Sequence, residues 1–273
     1  MTVLIASDLD RTLIYSAAAL GLTMPDPIAP RLLCVEVHEA RPLSFLTETA
    51  AGLLTALTAD SSVVFVPTTT RTRKQYQRIR LPGRPAPYAI CGNGGHILVD
   101  GVPDRDWRRA VAARLAAECA PLDEVHEHLL KSADPLWLRK ARVAEDLFAY
   151  LVIEREALPE GWLEELGEWA EARGWTVSLQ GRKVYAVPRP LTKSAAMREV
   201  ARRTGAEHTL AAGDSLLDAD LLLAADRAWR PAHGELADEG WTAPGVTALR
   251  AKGVVAGEEI LRQFAHAIGT LTT

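Results

Sequence analysis

The sequence predicts a doubly wound α/β core of parallel-sheet, Rossmann-like type with one inserted α+β segment. Three observations carry that expectation: short apolar runs that end in polar residues, helical stretches between them, and a change of pattern near residue 101 that reverts near residue 188. The 273 residues are 48% hydrophobic and 24% charged, apolar enough for packed cores and unlike a disordered chain. With 31 basic and 35 acidic residues the net charge is −4, which argues against nucleic acid or an anionic membrane surface as partner. No apolar stretch reaches the ~20 residues of a membrane-spanning helix, and the run at Val3 to Ala6 is cut off by Asp8, so a cytoplasmic protein is expected. Cys34, Cys91 and Cys119 form no Cys-x-x-Cys, and the histidines form no His-Glu-x-x-His. A thiolate or imidazole metal site is not expected.

Taken in order, Thr2 to Ser7 is an unbroken apolar run, as in a strand buried on both faces, and it ends in Asp8-Leu9-Asp10-Arg11-Thr12. Residues 16–42, with Pro25, Pro27, Pro30 and Pro42, read as an irregular flap holding a strand at Leu33 to Val37. Phe45 to Ala59 has Leu46, Leu53, Leu54 and Leu57 at helical spacing. Ser62 to Val66 is a second buried strand, followed by a basic helix from Arg71 to Arg80 that Pro82-Gly83 closes. Pro87 to Cys91 repeats the strand pattern, and Ile97 to Val102 predicts a hairpin on Asp100-Gly101. The insert, 101–187, then reads as helices at 104–119 and 121–131, strands at 137–142 and 147–153, a helix at 159–173, and strands at 175–179 and 182–187 turning at Gln180-Gly181. Core-like sequence resumes with a helix from Leu191-Thr192-Lys193 to Gly205 and a strand at His208 to Ala212. The core is thus expected from 1–100 and 188–273.

Ligands of such sheets sit beyond the C-terminal strand ends, where Asp8, Thr69 and Asp214 are expected. Asp8-x-Asp10 by itself also serves as a turn or a helix cap, and Asp214 with Asp218, four apart, also suits a capped helix with a surface acid. Together, Asp8, the backbone carbonyl of Asp10, Asp214 and Asp218 make a hard, oxygen-only set of the kind Mg²⁺ prefers. Carboxylates gathered so closely repel one another, so compensating charge is required. Lys193 supplies it, opening a helix where a cation is disfavoured unless an anion sits there too. Thr69, between Thr68 and Thr70, offers a hydroxyl to a phosphate oxygen.

In this order, Asp8-Leu9-Asp10-Arg11-Thr12-Leu13, Thr69, Lys193 and Gly213-Asp214-Ser215-Leu216-Leu217-Asp218 resemble the four motifs of the haloacid dehalogenase-like superfamily of phosphohydrolases. The insert between the second and third motifs resembles the larger cap of the Cof-like and sucrose-phosphatase branch, and Gly92-Asn93-Gly94-Gly95 is similar to the turn that precedes that cap. Three positions depart: Arg11 stands for the usual Gly, Leu217 for Asn, and Thr69-Thr70-Arg71 for Thr-Gly-Arg. The resemblance implies a Mg²⁺-dependent phosphatase of a small phosphorylated metabolite, with Asp8 as nucleophile, Asp10 as acid and base, Thr69 and Lys193 on the phosphoryl group, and Asp8, Asp10, Asp214 and Asp218 around the metal. Substrate contacts are expected from Thr12, Thr70, Arg71, Asn93, Gly94 and Arg182, with Arg73, Lys74, Lys183 and His233 as further candidates. A phosphotransferase or sugar phosphomutase would share the aspartyl-phosphate. A signalling receiver would not carry the insert between its Thr and Lys.

Overall fold

In the computed structural model, which describes residues 1–271, strand β1 (Val3–Ser7) is buried along its whole length, as its unbroken apolar run requires. A flap follows. Two single turns of 3-10 helix, Ala17–Ala19 and Asp26–Ile28, lead into an antiparallel hairpin of β2 (Leu32–His38) and β3 (Arg41–Thr47). Its two-residue turn is Glu39-Ala40, both at positive φ (50° and 59°), and that composition conceals the hairpin from sequence reasoning. Helix α1 (Glu48–Ala59) begins later than the expected Phe45, because Phe45 exchanges both backbone hydrogen bonds with Tyr15 and the Thr47 hydroxyl caps the Ala50 amide.

Strand β4 (Val63–Pro67) pairs in parallel with β1. The expected helix over 71–80 shrinks to α2 (Arg73–Tyr76), opened by a Thr72/Gln75 capping box. It stops because Ile79 bridges Glu36 and the Arg80 amide donates to the Val35 carbonyl, which ties this segment to the flap. Strands β5 (Tyr88–Cys91), β6 (His96–Val99) and β7 (Val102–Pro103) form a small antiparallel sheet with Asp100-Gly101 in the turn.

The chain then builds a separate unit over Asp104–Thr192. Helix α3 (Arg105–Glu118) starts at Asp104, whose side chain accepts from the Asp106 and Trp107 amides, and α4 (Leu122–Ser132) follows. Strands β8 (Leu138–Ala144) and β9 (Phe148–Ile153), helix α5 (Trp162–Glu171), and strands β10 (Trp175–Gln180) and β11 (Lys183–Pro188) complete it. The four strands form one antiparallel sheet in the order β10-β11-β9-β8. The β10–β11 turn is Gly181-Arg182, one residue later than expected, since Gln180 pairs with Lys183. Buried Trp137 and Trp175 stand in its interior, Trp137 meeting the half-buried Trp162 edge to face at 4.7 Å between ring centres.

The first unit, Met1–Pro103, resumes at Lys193. Helix α6 (Lys193–Thr204) and strand β12 (His208–Ala212) are followed by the 3-10 turn Leu216–Asp218, α7 (Ala219–Ala224), β13 (Arg227–Arg230), α8 (Glu235–Asp238), β14 (Val246–Ala248) and α9 (Val255–Leu271). The central sheet is wholly parallel, in the order β14-β13-β12-β1-β4. Ile5, Leu54, Phe65, Trp229 and Phe264 belong to one apolar cluster, with α1 and α9 packed on each other. No described helix is long and apolar enough to cross a membrane.

Candidate active site

Sheet register brings the expected residues together. Ser7 of β1 stands opposite both Ala212 of β12 and Pro67 of β4, so Asp8, Gly213-Asp214 and Thr68-Thr69 leave adjacent strands at one level. The Asp8 amide donates to the Ala212 carbonyl at 2.9 Å, and the Thr68 amide donates to the Ser7 carbonyl at 2.8 Å. Beyond β1 the chain turns sharply, with the amides of Thr12, Leu13 and Ile14 all converging on the Leu9 carbonyl.

Lys193 is completely buried at the start of α6, and its Nζ lies 2.7 Å from Asp8 Oδ1 and 2.5 Å from Asp218 Oδ1. Asp218 Oδ2 accepts from the Asp214 amide, the Ser215 amide and the Ser215 hydroxyl at 3.1, 2.9 and 2.8 Å. With four donors its carboxylate anchors both the ammonium and the loop after β12. Asp8 Oδ2 accepts from the Thr12 hydroxyl at 3.2 Å. Asp214 has the thinnest compensation: its nearest cation is Arg11, whose Nε is 3.6 Å from Oδ2. A Cβ on Gly234, at φ 93°, would stand 2.4 Å from that same oxygen, so the loop after β13 approaches Asp214 as closely as a glycine allows.

Burial pushes the Asp8 carboxyl up to about 7 despite Lys193, and repulsion from Asp218 and Asp10 adds to the rise. Asp214 is raised well above the usual carboxylate range for the same first reason, then by Asp8 and Asp218. Burial opposes the charge on Lys193, but Asp218 and Asp8 outweigh it and hold the ammonium above its ordinary range. Asp8, Asp214 and Asp218 each offer an oxygen within 4.8 Å of the others. Hard oxygen donors so close together, two of them penalised when ionised, suit a divalent cation, and the residues therefore fit Mg²⁺.

Asp10 has a cation of its own. Arg71 grips its carboxylate with Nε and Nη2 at 2.6 and 2.7 Å. The same guanidinium reaches buried Glu36 of β2 through Nη1 at 2.7 Å and Ser44 of β3 at 3.2 Å. Ser44 donates to Glu36 at 2.6 Å, and Arg78 pairs with the other Glu36 oxygen at 3.2 Å. Arg71, expected at the substrate, is thus committed to Asp10 and the flap. Sequence reasoning does not single out Glu36 and Ser44, and it reads Arg78 as part of a solvated basic face with Arg71 and Lys74; the signal available was an acid inside an otherwise apolar strand sequence, Cys34-Val35-Glu36-Val37.

Thr69 is buried, and its hydroxyl accepts from the Arg71 amide at 3.1 Å, leaving its own proton to donate. The Thr69 carbonyl accepts from the Asn93 amide at 3.1 Å, so the buried turn holding Asn93 and Gly94 backs the threonine loop. Thr70 is half-buried beside it. Arg182, by contrast, is exposed at the β10–β11 turn of the second unit. His233 is turned to backbone: its Nε2 is 2.7 Å from the Arg11 carbonyl. Arg11 itself sits at φ 62°, so the arginine at this position adopts the left-handed backbone that a glycine would take.

No protein-family model matches the sequence, and no curated protein matches it. Solved structures match it over nearly its whole length. Sucrose-phosphatase from Synechocystis, solved with sucrose and phosphate, is 16% identical with a TM-score of 0.68 over 97% of this chain and 98% of that one. A haloacid dehalogenase-like hydrolase from B. subtilis is 17% identical with a TM-score of 0.57, covering 95% and 98%. A phosphatase of the same superfamily from Bacteroides thetaiotaomicron is 15% identical with a TM-score of 0.54, covering 97% and 96%. At these identities the likeness establishes the fold: a haloacid dehalogenase-like core with an inserted α+β unit.

Proposed function

We propose that this chain is a phosphatase that hydrolyses a small phosphomonoester of the sugar-phosphate type. The observation that carries the reading is the buried Asp8–Lys193–Asp218–Asp214 cluster at the carboxyl edge of the parallel sheet. Asp8, Asp214 and the backbone carbonyl of Asp10, with Asp218 behind them, would hold Mg²⁺, which supplies positive charge against the phosphoryl oxygens when bound.

The side chains divide the work. Asp8 attacks the phosphorus, and the ester P–O bond breaks as the new Asp8 O–P bond forms. Asp10 gives its proton to the departing alkoxide. It then takes a proton from the water that attacks the acyl phosphate, which frees inorganic phosphate and restores Asp8. Arg71 keeps the Asp10 carboxylate in one orientation through two hydrogen bonds, and Glu36 in turn fixes Arg71. Lys193 offsets charge on the transferring group, and the Thr69 proton binds one of its oxygens. Sucrose-phosphatase and trehalose-6-phosphate phosphatase share this fold, which supports sugar phosphates as the substrate class.

The test is a panel of phosphomonoesters assayed with Mg²⁺ for free phosphate and for isomerised product. Phosphate release that disappears on chelation and in Asp8→Asn is expected. Isomerised sugar phosphate without free phosphate would reassign the chain as a mutase, and silence across the panel would remove the reading.

A further inference from the structure

The loop after β1 has a resident cation that the mechanism above does not use. Arg11 holds a left-handed backbone at φ 62°, a conformation that disfavours any residue but glycine. Three contacts keep it there. Its amide donates to the Ile14 carbonyl at 2.8 Å, its carbonyl accepts from His233, and its guanidinium faces Asp214 at 3.6 Å. The His233 contact has a defined sense. Nδ1 accepts from the Gly253 amide at 3.1 Å, so Nε2 carries the proton and donates to Arg11 at 2.7 Å. The ring is further pinned by Tyr15, edge to face at 5.8 Å, whose hydroxyl donates to the Thr12 carbonyl at 3.0 Å. His233 therefore fixes one side of the same loop that presents Asp8 and Asp10.

Asp8 and Asp218 share Lys193, Asp10 has Arg71, and Asp214 is left with Arg11 alone as its nearest cation. A divalent ion arriving at Asp214 meets a positive group already there, which must be displaced or tolerated. We infer that Arg11 is a built-in counter-charge competing with the divalent cation for Asp214, and that His233 is the positioning residue that aims it. The inference rests on the proposed metal site. Its consequence is a lowered Mg²⁺ affinity, so that occupancy responds to Mg²⁺ at concentrations where a site with glycine at this position is already filled.

The experiment is metal binding to the full-length protein, read by calorimetry with Mg²⁺ and by the spin-resonance signal of free Mn²⁺, without substrate. Arg11→Gly is expected to bind both ions about fivefold or more tightly, a gap that narrows at high salt because the guanidinium is half exposed. Arg11→Lys, which keeps the charge, should stay near wild type. His233→Ala should tighten binding in the wild-type background and change nothing further in Arg11→Gly, since the two act through one contact. Melting curves of each variant establish that it is folded. Saturable binding that Asp214→Asn abolishes but Arg11→Gly leaves unchanged overturns this inference while keeping the metal site. Equal effects of His233→Ala in both backgrounds overturn the positioning role. No saturable binding in either wild type or Arg11→Gly overturns the metal site and the inference together.

Discussion

The two units treat charge in opposite ways. In the first, Asp8, Glu36, Lys193, Asp214, Asp218 and Arg230 are all buried. In the second, among the described residues, no Asp, Glu, Lys or Arg is buried: its interior is aromatic and aliphatic, and Lys140, Arg142 and Lys183 stand in solvent. Burying a charge costs several kcal/mol before any partner offsets it, so a fold that buries six, five of them at the candidate site and its Glu36 support, holds those five for something other than stability. The second unit has made no such investment, and its cations read as an ordinary solvated surface. The contrast supports the proposed site in the first unit without any appeal to motifs.

The sharpest way to break this contrast is Asp8→Asn. Turnover should fall by about a thousandfold or more, with the melting temperature held or raised because a penalised buried charge is gone. Activity near wild type would end the assignment. Next in size is Lys193→Ala, which leaves Asp8 and Asp218 buried without their cation and should cost about 3–5 kcal/mol by urea denaturation. Then comes Glu36→Gln, which removes the charge that fixes Arg71. Turnover should drop about tenfold with KM little changed, because what is disturbed is the orientation of Asp10.

A pH series sharpens the comparison further. The unfolded chain ionises Asp8 near the usual 3.8, whereas the folded, metal-free protein keeps that proton until about 7. Between these values the folded state binds more protons, so stability falls as pH rises through the window and stays low above it. Melting with a chelator should therefore show the protein less stable at pH 8 than at pH 5, with Mg²⁺ raising the midpoint more at pH 8. A midpoint independent of pH under chelation would contradict the buried pair. The smallest effect is expected in the second unit, where Arg142→Ala should leave the melting temperature within about 1 °C of wild type.

The strand ends and their acids were legible because a parallel sheet writes itself as unbroken apolar runs, and Asp8, Lys193 and Asp214 follow such runs or open helices directly. The flap was not. Its hairpin turns on Glu39-Ala40, residues with no turn signature, and Phe45 looked helical because Leu46 continues the spacing of α1 while belonging to β3. The contacts that steer Asp10 were hidden for a different reason: Glu36 meets Arg71 only through long-range folding, and a lone acid in an apolar strand carries no spacing to read. His233 reads from sequence as a loop histidine, but its contact with a backbone carbonyl leaves no trace in composition.

Two kinds of force set Asp214 in place, and they answer to different conditions. Its attraction to Arg11 weakens as ions accumulate in the medium, while the seat formed by Gly234 is a matter of excluded volume that no electrolyte alters. In concentrated brine the carboxylate would lose its companion yet keep its address.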